Sequence, residues 1–146
     1  MPRDREQVAR DFVRAWLRKA DTDLHAAAHL LTEPVPGDDY FAAAFHAQQA
    51  AEKLLKALLI RHQVPFPKTH DIERLLRLLA AVEPGLLQEL TEAVNLTPYG
   101  VEFRYPLEEH VSHADAHAAV GMARRVQEAV LRRLVPYLGG RGNERA

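Results

Sequence analysis

The sequence contains no cysteine. That excludes disulfide frameworks, thiolate zinc sites, iron–sulfur clusters and cysteine nucleophiles. Long apolar runs are also missing. Every hydrophobic stretch is broken by Arg, Lys or Glu, well short of the ~18 residues of a membrane span. No charge sign dominates, because 19 Lys+Arg face 20 Asp+Glu for a net charge of −1. As an average, that argues against a strongly basic nucleic-acid binder. There is no Gly-Xaa-Gly-Xaa-Xaa-Gly or Walker string, so any bound phosphate must rely on Arg, Lys and helix termini. No bound cofactor is expected. No segment alternates apolar and polar residues with β-branched enrichment, so no strand is predicted. The first ten residues are charged with no apolar run behind them, which speaks against a signal peptide and for the cytoplasm.

What is present is 146 residues, 47% of them hydrophobic, with eight histidines. That length suits one domain with a proper core, placed at residues 1–138, followed by a loose polar tail at 139–146. The apolar residues Val8, Phe12, Trp16, Ala20, Leu24, Ala27 and Leu31 recur at +4 and +3, which predicts a helix over residues 4–31. Pro34-Val35-Pro36-Gly37 breaks it. A second helix is predicted over 40–63. One of its rows reads Tyr40, Ala44, Ala47, Ala51, Leu54, Leu58, with small residues in the middle that allow close helix approach. The adjacent row reads Phe41, Phe45, Gln48, Glu52, Leu55, Leu59 and carries two polar groups inside an apolar stripe. Shorter helices are predicted over 69–81 and 84–96, the latter with Pro84 in its first turn. Ser112, with Asp115 three residues on, reads as a capping box for a last helix reaching about residue 138. The fold class is therefore all-α: an antiparallel up-and-down bundle of three long and two short helices.

Charge is unevenly spread along this framework. Residues 34–110 hold seven basic and eleven acidic side chains, whereas residues 111–146 hold six basic and three acidic. The last helix carries Arg124-Arg125 and Arg132-Arg133, which is either a solvated face or a phosphate-facing surface.

Helix two contains Phe45-His46-Ala47-Gln48-Gln49-Ala50-Ala51-Glu52-Lys53-Leu54-Leu55-Lys56. Pro67-Lys68-Thr69-His70-Asp71-Ile72 follows, then Tyr99-Gly100-Val101 and Arg104-Tyr105-Pro106. This ordered set resembles the HEPN domain family (higher eukaryotes and prokaryotes nucleotide-binding). The resemblance spans roughly residues 12–138. It implies a bundle of four or five helices, usually a homodimer, often paired with a minimal nucleotidyltransferase in a toxin–antitoxin-like module. Some members are metal-independent ribonucleases that use an Arg and, four to six residues on, a His; others are binding modules. Arg104 and His110 have that spacing. Pro106 lies between them, and Ser112 places the final helix after His110, whereas in the ribonuclease members the pair sits at a helix start.

The chemistry fits RNA cleavage without metal. Histidine titrates near neutrality and can take or give a proton, and arginine can offset phosphate charge. Arg104 and His110 are the candidate catalytic pair. Gln48, Glu52, Lys53, Arg104, Arg124 and Arg125 are the candidate contacts for RNA or a nucleotide. A buried Glu52 needs a partner; that partner is either Arg104 or, one turn on, Lys56. The structural alternative has Arg104 holding its loop to helix two and His110 on the surface, in a non-catalytic interaction module. The pairs His25/His29 and His113/His117 each share a helix face, which leaves a metal-binding bundle as a third reading, although no Glu-Xaa-Xaa-His motif accompanies them. His70 or Asp71 reads as a helix cap.

Overall fold

The computed structural model describes residues 4–37, 39–100 and 110–139. Its elements are α1 (Arg5–Thr32), α2 (Phe41–Arg61), α3 (Ile72–Leu79), the single turn α4 (Leu86–Glu89), a 3-10 helix (Thr91–Gly100) and α5 (His113–Leu134). No strand forms among the described residues.

Local chemistry sets the helix ends. The Asp4 side chain accepts from the Gln7 amide to start α1, and Asp71 accepts from the Arg74 amide to start α3. Ser112 and Asp115 form the reciprocal capping box of α5. α2 stops in a Schellman turn: Gln63 adopts a left-handed conformation (φ 57°), and the Val64 and Gln63 amides donate to the Leu59 and Ile60 carbonyls. The predicted helix over 84–96 divides into α4 and the 3-10 helix. Pro98 lies within the latter, and without an amide hydrogen it cannot complete an α-helical ladder.

α2 is the central element, packing against α1, α5, α3 and the 3-10 helix. Its buried residues lie all round it, from Ala43 to Leu59. Contacts between Trp16 and Lys56 and between Asp23 and His46 show that α1 runs antiparallel to α2. α5 runs parallel to α2, since Tyr40 meets His113 near their starts and Arg61, the last residue of α2, meets Tyr137 just past the end of α5. The third arm doubles back: α3 leads away from Gln48, and the 3-10 helix returns to it at Gly100. The chain beyond α5 is held by α1, because Arg10 and Arg14 donate to the Tyr137 and Leu138 carbonyls at 3.2 Å each.

The apolar row of α1 holds from its middle onward, with Ala20, Leu24 and Ala27 in the core and Trp16 packed against it. The row's first two residues depart from that expectation: Val8 is 36% and Phe12 58% exposed. With 28 residues against 21 in α2, α1 outruns its neighbour by about 10 Å. Its first turns therefore lack a covering helix on that face. Among the described residues no helix is long and apolar enough to cross a membrane.

Candidate polar site along α2 and the mouth of α5

Three polar clusters lie along α2. In the first, Glu52 is buried and takes bonds from the Lys56 ammonium at 2.7 Å and from Gln48 at 3.2 Å, with His70 Nδ1 at 2.7 Å. The Gln48 amide also donates to the His70 carbonyl at 3.0 Å, and its own oxygen accepts from Gln49 at 2.7 Å. Lys56 Nζ lies 6.0 Å from the Trp16 ring centroid and 5.7 Å from that of Phe66, in cation–π range. Gly100 closes this cluster. A Cβ there would stand 3.1 Å from the Gln48 amide group and 3.2 Å from His70 Cβ. Three strings far apart in sequence, Gln48 to Glu52, Thr69-His70-Asp71 and Tyr99-Gly100, thus converge, with Gln48, Glu52 and Gly100 buried and the His70 ring reaching in from the surface.

The second cluster joins α1 to α2. Asp23 is buried, with His46 Nδ1 at 2.9 Å and Lys53 Nζ at 2.5 Å from its two oxygens. Burial pushes both the Asp23 and the Glu52 carboxyl up. Hydrogen bonds and charges from His46 and Lys53, and from Lys56, His70 and Gln48, outweigh burial and leave both groups below their ordinary values of 3.8 and 4.5. A carboxylate with a depressed folded-state pKa stabilises the fold above its unfolded pKa and loses that contribution as pH falls through the folded value. The thermal midpoint is therefore expected to stay level from pH 7 to about 5 and to fall progressively below about 4.5. Circular dichroism melts across that range check this, and the decline should be shallower in Glu52→Gln. A midpoint that does not change down to about pH 3 would contradict the assignment.

The third cluster lies at the mouth of α5. Asp39 Oδ1 accepts from the Phe41 amide at 2.8 Å and Oδ2 from the Val111 amide at 2.7 Å, so one carboxylate clasps the starts of α2 and α5. His110 Nδ1 lies 3.4 Å from Asp39 Oδ2, and the His110 side chain is 74% exposed. Beside this mouth a groove of about 530 Å³ runs between the 3-10 helix and α5. Tyr99, Asn95, Met122, Gly121, His117 and Arg125 are among its lining residues.

The candidate residues separate clearly. Gln48 and Glu52 face the core, with their polar atoms engaged inside the chain. The Glu52–Lys56 pair forms, and His70 joins it. Lys53 is half-buried on Asp23. Arg124 is exposed, and Arg125 makes an exposed 3.4 Å pair with Glu92. Arg132 and Arg133 instead bind Glu89, and Arg133 also binds Glu83, which holds His62. His110 stands before α5, outside the helix. Arg104, the other half of the candidate pair, lies outside the described residues, as does the tail from 140. Asp71 supplies the α3 cap, while His70 binds Glu52. His46 is half-buried against Asp23.

The His pairs engage local partners. His25 lies near Asp21, and His29 near Glu33. His113 packs edge-on to Tyr40 and stacks with His117. No cluster of three or more His, Asp or Glu among the described residues could hold a metal ion. Sequence reasoning missed Asp23 and Asp39. Asp23 carried a signal, since it lies three residues after Ala20 and four before Ala27, inside the buried row.

A helical bundle with an interior polar cluster built from three separated strings defines the class of protein. The HEPN domain model matches residues 13–134, and the chain belongs to that family. Two solved structures are similar. TT1696 from Thermus thermophilus is 29% identical, covering 84% of this chain and 98% of its own, with a TM-score of 0.65. ST0689, an archaeal HEPN homologue, is 22% identical over 84% of this chain and 97% of its own, also with a TM-score of 0.65, and shares the fold. No curated protein matches the chain at a significant level.

Proposed function

We propose that the chain is the HEPN component of a nucleotidyltransferase-associated, toxin–antitoxin-like module. It acts as a homodimer, binds RNA or a nucleotide near the mouth of α5, and cleaves RNA without metal. The observation that carries this is the exposed His110 ring with the Asp39 carboxylate 3.4 Å behind Nδ1. A carboxylate beside one ring nitrogen favours the imidazolium by charge and leaves Nε2 for substrate.

In the proposed reaction His110 takes the 2′-hydroxyl proton of a ribose. The freed oxygen attacks the adjacent phosphorus and the P–O5′ bond breaks. O5′ receives a proton from the His110 imidazolium of the second protomer. The products are a 2′,3′-cyclic phosphate and a 5′-hydroxyl. Arg104 and the exposed Arg124 and Arg125 offset phosphate charge. Buried Gln48 and Glu52 act here by positioning the chain at Gly100, on the approach to Arg104, and not by touching the ligand. Lys53 supplies the same support from the α1 side.

Purified protein incubated with single-stranded RNA in EDTA is expected to cleave it. Arg104→Ala and His110→Ala should each slow that cleavage by about 100-fold or more. Undiminished cleavage by His110→Ala would remove this catalytic assignment. RNA binding without cleavage would favour a non-catalytic module. Co-elution with a nucleotidyltransferase encoded beside the chain tests the partner.

A further inference from the structure

The sequence puts glycine at position 121, in the interior of the 22-residue α5. Glycine weakens a helix and is normally retained where a turn, a positive φ or a tight contact requires it. None of these applies to Gly121. Its backbone is helical, and a Cβ placed there meets nothing within 4 Å. Gly100 is the opposite case, a glycine pressed directly against Gln48 and His70. Gly121 instead faces the groove between α5 and the 3-10 helix. The missing side chain keeps that groove open at its α5 wall.

Around the opening the lining has a particular chemistry. Tyr99 and Met122 supply an aromatic and a thioether surface, Asn95 a paired amide donor and acceptor, and Arg125 a guanidinium at the rim. Among the described residues Arg125 is held by the exposed Glu92 at 3.4 Å, a pair that a phosphate can displace. Flat apolar surface, one bidentate amide and one exchangeable arginine match a single nucleobase with its phosphate. A duplex keeps its bases stacked inside and presents none of them to a groove of this size.

We infer that this groove takes one unstacked nucleobase, carried either by single-stranded RNA or by a free nucleotide. The inference rests on the nucleic-acid reading above and specifies its ligand. Tyr99 and Met122 bear the base, Asn95 reads its edge, and Arg125 exchanges Glu92 for the phosphate.

Gly121→Leu fills the groove without disturbing the helix, since leucine favours helix and the space is empty. Fluorescence anisotropy with a labelled oligoadenylate of about 12 nucleotides, the matching duplex, and 5′-AMP as competitor provides the test. The unmodified protein should prefer the single strand to the duplex. Gly121→Leu should bind the single strand at least about tenfold more weakly, with an undiminished melting midpoint and an unchanged oligomeric state by light scattering. Competition by 5′-AMP assigns the site to free nucleotides as well, and its failure assigns it to the strand; both outcomes support a base pocket. If the unmodified protein binds neither RNA nor 5′-AMP, the broader reading fails and this one with it. If it binds RNA and Gly121→Leu binds equally well, the groove assignment alone is overturned. A Gly121→Leu protein that changes its oligomeric state also overturns it, because the groove then seats a second copy of the chain.

Discussion

Replacing Glu52 with alanine is expected to destabilise the protein by about 3–5 kcal/mol, a large share of the roughly 5–15 kcal/mol typical of a domain. The cause is what the substitution leaves behind. Lys56 is buried between Trp16 and Phe66, with the Glu52 carboxylate 2.7 Å from its ammonium. Without that carboxylate the ammonium has lost its counterion where its side chain is only 10% exposed. One Gln48 donor and the His70 ring lose an acceptor in the same step. A surface Glu–Lys pair at the same spacing would cost only a few tenths of a kcal/mol, so burial decides the magnitude. Replacing both partners, Glu52→Leu with Lys56→Met, should recover most of the loss, because no charge then remains to be solvated. Urea unfolding of the single and double variants measures both values. A single-variant loss below about 1 kcal/mol would mean that the Lys56 ammonium is readily solvated once Glu52 is gone.

This cluster marks the boundary of what the sequence discloses. Gln48 and Glu52 are visible as polar residues in an apolar row, because a helix repeats about every 3.6 residues and a charge in that row faces either the core or an interface. Lys56 is visible as a partner through its one-turn spacing. His70 is not, since an imidazole 18 residues away reaches Glu52 only after the loop behind α2 folds back. The same limit hides the partners of Asp23. Its place in the row of α1 is readable, but His46 and Lys53 lie on another helix, and periodicity carries no information about register between helices. The capping box at Ser112 is legible because capping is local. The division of the 84–96 helix is not, because a run with good helix formers gives no warning that Pro98 and the return to Gly100 favour the tighter turn. Val8 and Phe12 extend the apolar row beyond the end of the helix that covers it, and helix lengths in space decide that. The groove beside α5 is legible on one wall alone: a glycine inside a helix is visible in the sequence, whereas the 3-10 residues that face it come together only in the fold.

α2 should fail in opposite ways at its two ends. Its first half buries Ala43, Ala44, Ala47, Ala50 and Ala51, and its second half buries Leu54, Leu55, Leu58 and Leu59, nearly all at zero exposure. Small residues let neighbouring helices approach the first half closely, and leucines fill the wider space around the second. Leu58→Ala therefore opens a void and should cost about 2–5 kcal/mol, the transfer of the lost carbons plus the unfilled cavity. Ala47→Leu adds volume where none is free, pushes a neighbouring helix outward and should cost about 1–3 kcal/mol. The two sites lie eleven residues apart, about 16 Å along the helix, so the added volume cannot reach the void. The double variant should be destabilised by close to the sum of the two. If Ala47→Leu instead proves neutral in urea unfolding, the first half of α2 has unfilled space and its alanines do not set the helix spacing. If the double variant is more stable than Leu58→Ala alone, the helix shifts along its axis to use that space, and α2 is not the fixed centre of the bundle.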